Sequence, residues 1–172
     1  MKILLTGGSG LLGCEFSRQA KIAGHEVVTF SGDVRDMEAT RRIWWMGVGA
    51  LAHFAAIGVK FTSPDRTWEN CMGTNLVGTL NLLDSITLSK CAPAVFIPGS
   101  VRELETMDVP HLWRDPYVVS KIAVAQAIDE WAKGYRGRVI RPSIHRLGTE
   151  TDVQNAVSEI IEQIQNARRN SA

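Results

Sequence analysis

The chain has 172 residues, 45% of them hydrophobic and 22% charged, with a formal net charge of +1. That is length enough for one domain with a sizeable core, and so even a charge balance gives no electrostatic case for nucleic acid or an anionic membrane as partner. Cys14, Cys71 and Cys91 have no metal-ligand spacing and leave one over if two pair, so free thiols in a reducing cytosol are expected.

The chain opens with a short apolar run, Ile3-Leu4-Leu5, closed by a glycine-rich turn, and this predicts a buried strand. No signal peptide is apparent, because Leu4-Leu5 runs straight into glycines, and no apolar run is long enough to span a bilayer. Gly7, Gly10 and Gly13 sit three apart, and from Leu11 the pattern turns helical through Phe16, Ala20 and Ile22. Strand, glycine turn and helix N-terminus in that order make a dinucleotide site. Absent side chains let the backbone approach a pyrophosphate, and unpaired helix N–H groups meet its charge. The plain alternative is an ordinary strand-to-helix turn that happens to hold several glycines.

Ala23-Gly24-His25 stops the first helix, and Glu26 to Phe30 reads as a second strand ending at Ser31-Gly32-Asp33. Asp33 lies twenty residues past Gly13, about where an acidic group takes the adenosine ribose hydroxyls. Met37 to Trp45 reads as a helix with Asp36 as N-cap, and of the readings open to Trp44-Trp45, burial is favoured. Ala50 to Ala56 is a third strand, with small Ala55-Ala56 at the end where a ligand would lie. A long helix is expected from about Thr67 to Leu88, with Leu76, Leu80, Leu83 and Ile86 on one face. Ala94 to Pro98 reads as a fourth strand ending at Gly99-Ser100, and a polar, proline-bearing loop follows it. A helix from about Asp115 to Lys133 comes next, then a fifth strand from Gly137 to Pro142. The last helix, Asp152 to Arg169, has Val153, Val157, Ile160, Ile161 and Ile164 as its apolar face. Strands alternating with helices at this spacing predict an α/β fold. It is a doubly wound, Rossmann-like parallel sheet of five or six strands, one domain over residues 1–172.

Tyr117 and Lys121 are four apart at the start of a helix and so share a face, while Ser100 ends the fourth strand. A nearby ammonium and a cationic nicotinamide both favour phenolate, which would let Tyr117 exchange protons near neutral pH. Ser100 would hold the substrate oxygen. The four histidines show no paired spacing; His53 is read as a strand residue with a satisfied ring nitrogen, and no metal site is expected.

The chain resembles short-chain dehydrogenases/reductases of the extended type, close to NAD-dependent sugar-nucleotide epimerases and dehydratases. The matching stretches come in family order: Thr6 to Gly13, Asp33 to Asp36, His53 to Ala56, Asn75 to Leu83, Ser100, Tyr117 to Lys121, and Arg141-Pro142. The resemblance implies NAD as cofactor, with NADP not excluded. It implies Gly7, Gly10, Leu11, Leu12 and Gly13 at the pyrophosphate, Asp33 and Val34 at the adenosine end, and Ala55, Ala56 and Pro142 along the rest of the dinucleotide. It implies Lys121 on the nicotinamide ribose, Tyr117 as the acid/base and Ser100 as its assistant. Asn75 matches a family asparagine for which a structural role is at least as expected.

Three departures stand out. Only Ser31-Gly32 separates the second strand from Asp33, so the family's intervening helix and strand look deleted. The loop from Ser100 to Tyr117 is compressed, and the family's substrate domain is largely missing, since Gly148 leads straight to Thr151-Asp152-Val153. The expected function is an NAD(P)-dependent oxidoreductase or epimerase acting on a sugar nucleotide or related carbonyl or hydroxyl substrate. The rival is a non-catalytic dinucleotide-binding or partner-binding protein, and a minimised or partial chain is a third reading. A cytoplasmic homodimer is expected, paired through the long helix and the Tyr117 helix, with no nucleic-acid or membrane partner.

Overall fold

The structure is a computed structural model that describes residues 1–58, 60, 62–100, 114–144 and 149–169; for residues 143, 144 and 167–169 it describes the backbone only. The polar loop expected between Ser100 and Asp115 lies almost wholly outside the described residues.

In chain order the elements are β1 (Lys2–Thr6), α1 (Leu11–Ile22), β2 (Glu26–Thr29), α2 (Met37–Arg41) and β3 (Val48–His53). A continuous helical rod follows, α3 (Trp68–Cys71), a π-helical segment (Met72–Val77) and α4 (Gly78–Ser89). Then come β4 (Ala94–Phe96), β5 (Gly99–Ser100), α5 (Pro116–Ala132), β6 (Val139–Ile140), β7 (Ser143–Ile144) and α6 (Glu150–Arg169).

Five strands form one parallel sheet in the order β2-β1-β3-β4-β6. The chain winds outward one way from β1 to β2 and the other way from β3 onward, so the crevice at the carboxyl ends of β1 and β3 is a topological switch point. Strand side chains alternate between faces. Ile3, Leu5, Ala50, Ala52 and Phe96 pack with Phe16 and Ala20 of α1 and with Val157, Ile160 and Ile164 of α6. Leu4, Leu51 and Val95 point the other way, onto Leu82, Leu83 and Ile86 of α4 and Val124 and Ile128 of α5. Burial on both faces is what the near-continuous apolar strands require.

Strands four and five are each shorter than expected, and prolines explain it. Pro98 and Pro142 have no N–H to give the ladder, so the pairing breaks there and resumes as the two-stranded β5–β7 sheet. Bridging bonds from Ile97 N–H to the Ile140 carbonyl (3.1 Å) and from Gly99 N–H to the Pro142 carbonyl (2.9 Å) keep the two sheets in line.

α2 ends at Arg41, four residues early. The chain must turn there to bury Trp45, whose indole N–H donates to Ser85 Oγ at 2.7 Å, while Trp44 is 74% exposed. The expected face of the long helix also needs correction. Leu83 and Ile86 are buried and Leu76 partly so, but Leu80 is 41% exposed; the buried face runs through Asn75, Thr79, Leu82 and Ile86 instead. The Asp36 cap is present, accepting the Glu38 and Ala39 amides. Among the described residues no helix is long and apolar enough to cross a membrane.

Ile160 is 1% exposed and joins α6 to the sheet, whereas Ile22 on α1 is 74% exposed. Ile160→Ala should therefore cost about 2–5 kcal/mol in urea unfolding, and Ile22→Ala no more than about 0.5 kcal/mol. Equal losses would show that α6 is not part of the core.

Candidate functional site

The three glycines of the first turn do different work. Gly7 has φ +69°, and a Cβ there would lie 2.4 Å from the Ala55 amide nitrogen and 2.5 Å from the Phe54 carbonyl carbon. A Cβ on Gly13 would lie 2.1 Å from the Gly7 carbonyl oxygen. Those two positions are closed by the protein's own backbone. Gly10 is exposed, and a Cβ there would meet only the Gly7 carbonyl oxygen, at 3.3 Å. It is the N-cap of α1 and supplies no capping side chain, so the amides of Leu11, Leu12 and Gly13 begin the helix without intrahelical partners. Together with the helix dipole, they form an open anion cradle.

Around this turn the strand tips bring the other candidates together. Thr6 is in register with His53, so Ala55, partly buried, and Ala56, exposed, lie beside Gly7. A Cβ on Gly8 would touch Thr29 of β2 at 2.8 Å, so the β2 end flanks the turn on its other side. Beyond β2, Val34 is buried where a Cβ on Gly78 would meet it at 2.5 Å, and Asn81 Nδ2 donates to the carbonyls of Val34 and Arg35, both at 3.0 Å. That anchors the turn carrying Asp33 onto α4. Asp33 is exposed and held by Arg35 in a fork, with Nη2 to Oδ2 at 2.6 Å. The guanidinium, and then the Arg35 amide, hold its carboxyl below the ordinary range.

A buried polar chain runs under the site. Thr79 Oγ1 must donate to the Asn75 carbonyl (2.5 Å), since a carbonyl can only accept. His53 Nε2, 2.9 Å from the same hydroxyl, is therefore the protonated ring nitrogen. His53 Nδ1 then accepts from Thr6 Oγ1 at 2.6 Å, and Thr6 Oγ1 accepts from the Ala55 amide at 3.3 Å. Every proton is placed with the ring neutral. Burial first, and then the Lys121 charge, push the imidazole down to about 3, so His53 is a fixed strut and no acid/base. Asn75, in the π-helical segment, continues the chain. Its Oδ1 accepts from the Ile57 amide (2.8 Å), and its Nδ2 donates to the Ile57 carbonyl (3.0 Å) and to Ser120 Oγ (2.9 Å). Ser120 donates to the Tyr117 carbonyl at 2.7 Å.

α5 carries Tyr117 and Lys121 on its first two turns, with Asp115 as N-cap and Pro116 at the first helical position, where a missing N–H costs nothing. Both side chains are buried, Tyr117 at 9% and Lys121 at 7% exposure. Lys121 Nζ donates to the Pro98 carbonyl at 2.6 Å, a carbonyl that stands where the β4 ladder breaks. This brings Lys121 to the strand segment that continues into Ser100, itself partly buried in β5. The Pro142 carbonyl accepts from the Gly99 amide. The glycine turn, Ala55-Ala56, Ser100, Tyr117, Lys121 and Pro142 thus share the carboxyl edge of the parallel strands, with Asp33 and Val34 at its β2 end.

Sequence reasoning missed Arg66 and Asp115. Arg66 forks onto Asp115, with Nε to Oδ1 at 3.0 Å and Nη2 to Oδ2 at 2.5 Å, and its guanidinium lies 5.0 Å from the Tyr117 ring centroid. Burial would raise the Asp115 carboxyl, but the guanidinium and the Val118 and Tyr117 amides outweigh it and hold it low. Asp115 before a helix signals a cap, whereas nothing in sequence spacing points from Arg66 to it.

A family model described as "NAD dependent epimerase/dehydratase family" matches residues 3–171. Similar curated proteins include a UDP-glucose 4-epimerase of Streptomyces lividans, 27% identical over 156 residues, covering 74% of this chain and 46% of that protein. This chain spans about half the length of the curated relatives it matches. Among solved structures, a Burkholderia cenocepacia short chain dehydrogenase in complex with NADP superposes with a TM-score of 0.75 at 17% identity, covering 95% of this chain and 84% of that one. A Thermus thermophilus UDP-glucose 4-epimerase in complex with NAD superposes at 0.60 with 22% identity, covering 82% and 54%. At these identities the superpositions establish the shared fold.

The neutral His53 sets a pH dependence of stability. Its folded pKa of about 3 lies below the ordinary 6.5. Between those values the unfolded chain binds a proton that the folded state refuses, so stability is full above about pH 6.5 and falls with pH. The wild type should lose up to about 1.4 kcal/mol per pH unit more than His53→Gln across pH 6 to 4, read from urea midpoints. Parallel slopes would show that His53 is not held neutral.

Proposed function

The chain belongs to the NAD dependent epimerase/dehydratase family, and on that premise we propose that it is a single dinucleotide-binding domain that exchanges hydride and proton with a carbonyl or hydroxyl substrate, a sugar nucleotide or a close chemical relative. The observation that carries this reading is the difference among the glycines: Gly7 and Gly13 are closed by backbone while Gly10 opens outward over unpaired helix amides. A cradle that a Cβ would fill, at a helix N-terminus, suits a pyrophosphate.

In this reading Gly7, Gly10, Leu11, Leu12 and Gly13 hold the pyrophosphate, and Asp33 and Val34 the adenosine end. Ala55, Ala56 and Pro142 line the nicotinamide half, and Lys121 holds its ribose. When bound, the dinucleotide supplies or takes up the hydride. Tyr117 Oη holds the mobile proton, the Lys121 ammonium favours its release, and the Ser100 hydroxyl donates to the substrate oxygen. Asp33 would repel a 2′-phosphate, which favours NAD, but its fork with Arg35 weakens that repulsion, so the preference is modest. The alternative reading is a dinucleotide-binding protein without turnover.

Self-association as a two-fold dimer through α4 and α5 belongs to the same proposal. Val77 and Leu80 on the rod are 44% and 41% exposed, and Ala123 and Ala127 of α5 are partly exposed. Such an interface would be isologous. Light scattering should give a dimer mass that falls on dilution in Leu80→Lys; a monomer at every wild-type concentration removes the dimer.

The central test is calorimetric and kinetic together. NAD should bind the wild type more tightly than NADP, and Gly10→Val should abolish binding while leaving the fold intact. Tyr117→Phe should keep the NAD affinity and lose at least about a hundredfold in turnover, because only the proton transfer is removed. Unchanged NAD affinity in Gly10→Val defeats the cofactor site. Binding without turnover of any sugar nucleotide, ketone or alcohol moves the protein to the second reading.

A further inference from the structure

The contact among Arg66, Asp115 and Tyr117 has no role in the reaction so far described. Arg66 lies between β3 and α3, Asp115 caps α5, and their side chains are only 8% and 10% exposed. Besides its fork onto Asp115, the guanidinium donates through Nη1 to the Gly58 carbonyl. Asp115 Oδ1 also accepts from the amides of Tyr117 (3.0 Å) and Val118 (3.3 Å). Gly58 has φ +83°, and a Cβ there would stand 3.3 Å from Tyr117 Cβ, 3.3 Å from Arg66 Cγ and 2.7 Å from Cys71 Sγ. The loop after β3, the helix cap and the tyrosine are thus packed as one unit.

Stability alone is a poor reason for this arrangement. An asparagine or serine would cap α5 as well with no counter-ion to bury, and a buried ion pair gains little over neutral residues of similar size. What a neutral cap would not do is hold a guanidinium against the face of the Tyr117 ring.

We propose that Arg66 and Asp115 are positioning residues for Tyr117: the pair clamps the ring between the β3 loop and α5, and their two opposed charges set the phenol's proton affinity. The proposal rests on the reading of Tyr117 as the proton-exchanging group. The cation favours phenolate and the carboxylate opposes it. Among the described residues, the other titratable groups about the ring are the Cys71 thiol of α3, which burial pushes up, and Lys121 one turn further along α5. Neither differs among the variants below.

The chain has two tyrosines, and this makes the test direct. The Tyr135 hydroxyl donates to the Pro93 carbonyl at 2.5 Å, and burial pushes its phenol far above the ordinary range. The phenolate step in ultraviolet absorbance of the cofactor-free protein that Tyr117→Phe erases is assigned to Tyr117. Asp115→Asn keeps the cap and removes the anion, so the midpoint should fall by about one pH unit. Arg66→Met/Asp115→Asn removes both buried charges and leaves no carboxylate unpaired, and its midpoint should rise back by about the same amount. Comparing these two variants isolates the guanidinium at a constant cap. Arg66→Met alone, where it folds, should have the highest midpoint of all.

A purely structural role would move the single variants the same way, toward the value of an unstructured tyrosine. Shifts of one sign, or equal midpoints in Asp115→Asn and the double variant, overturn the proposal. In turnover assays the double variant should lose about tenfold in kcat with KM and NAD affinity unchanged, the mark of lost positioning and not of lost binding. The titration needs neither cofactor nor substrate. A wild type that turns nothing over would therefore count against the proposed reaction, while the order of the midpoints would still decide whether the pair tunes Tyr117.

Discussion

The carboxyl edge of this sheet depends on one close approach of backbone to backbone. At Gly7 the chain leaving β1 runs against the chain leaving β3, and at Gly13 the first turn of α1 is drawn down onto the Gly7 carbonyl. A methyl group at either place would sit more than an ångström inside ordinary contact. The strand tips, the helix start and the small residues Ala55 and Ala56 can share one edge only because these two side chains are absent. Gly10 is different in kind: it is exposed, and a Cβ there would meet only the Gly7 carbonyl oxygen, while Gly7 and Gly13 are hemmed in by the fold. If the proposed cofactor site holds, a substitution series across the three glycines separates folding from binding within seven residues.

Beneath that edge, the buried chain Thr6–His53–Thr79–Asn75–Ser120 ties β1, β3, the helical rod and α5 into one hydrogen-bonded frame. Its members are fully satisfied with a neutral imidazole, which is the condition under which a buried polar network rigidifies without a charge penalty. The π-helical segment belongs to this frame. It lies where Asn75 turns inward to grip both polar groups of Ile57 and, through Ser120, the carbonyl of Tyr117. Irregular helix geometry at a candidate site is a recurrent device for aiming a side chain.

Most of the fold was legible because its central strands are buried on both faces and its first and last helices are long and amphipathic. Val153, Val157, Ile160, Ile161 and Ile164 read as one face in sequence and are one buried face in the structure. Legibility failed where a single tertiary contact overrode local pattern. α2 stops early because the Trp45 indole finds Ser85 forty residues away, and Leu80 falls outside the buried face of the rod. Strands four and five split because two prolines meet across the same ladder, a coincidence of register that no one-strand reading contains. Of the candidate site, the glycine turn and the Tyr117–Lys121 pair were legible from spacing. Arg66 was not, since its meaning arises only once Asp115, nearly fifty residues on, is folded beneath it.

The placement of buried charge around α5 bears on the proposed tuning of Tyr117. Asp115 and Lys121, at the cap and second turn of α5, and Arg66, from the loop after β3, are all withdrawn from water, and Tyr117 packs against Arg66 between them. Ionised groups buried together are a weak source of stability, and a core of this size has apolar residues enough to do without them. They do, however, fix the electrostatic potential at a phenol with little reorganisation, since each is tied to backbone: Lys121 to Pro98, Arg66 to Gly58, and Asp115 to the amides of Tyr117 and Val118. A tyrosine that served only packing would be cheaper to hold with leucines. Fixed charges of both signs around a titratable group are what tuning its proton affinity requires.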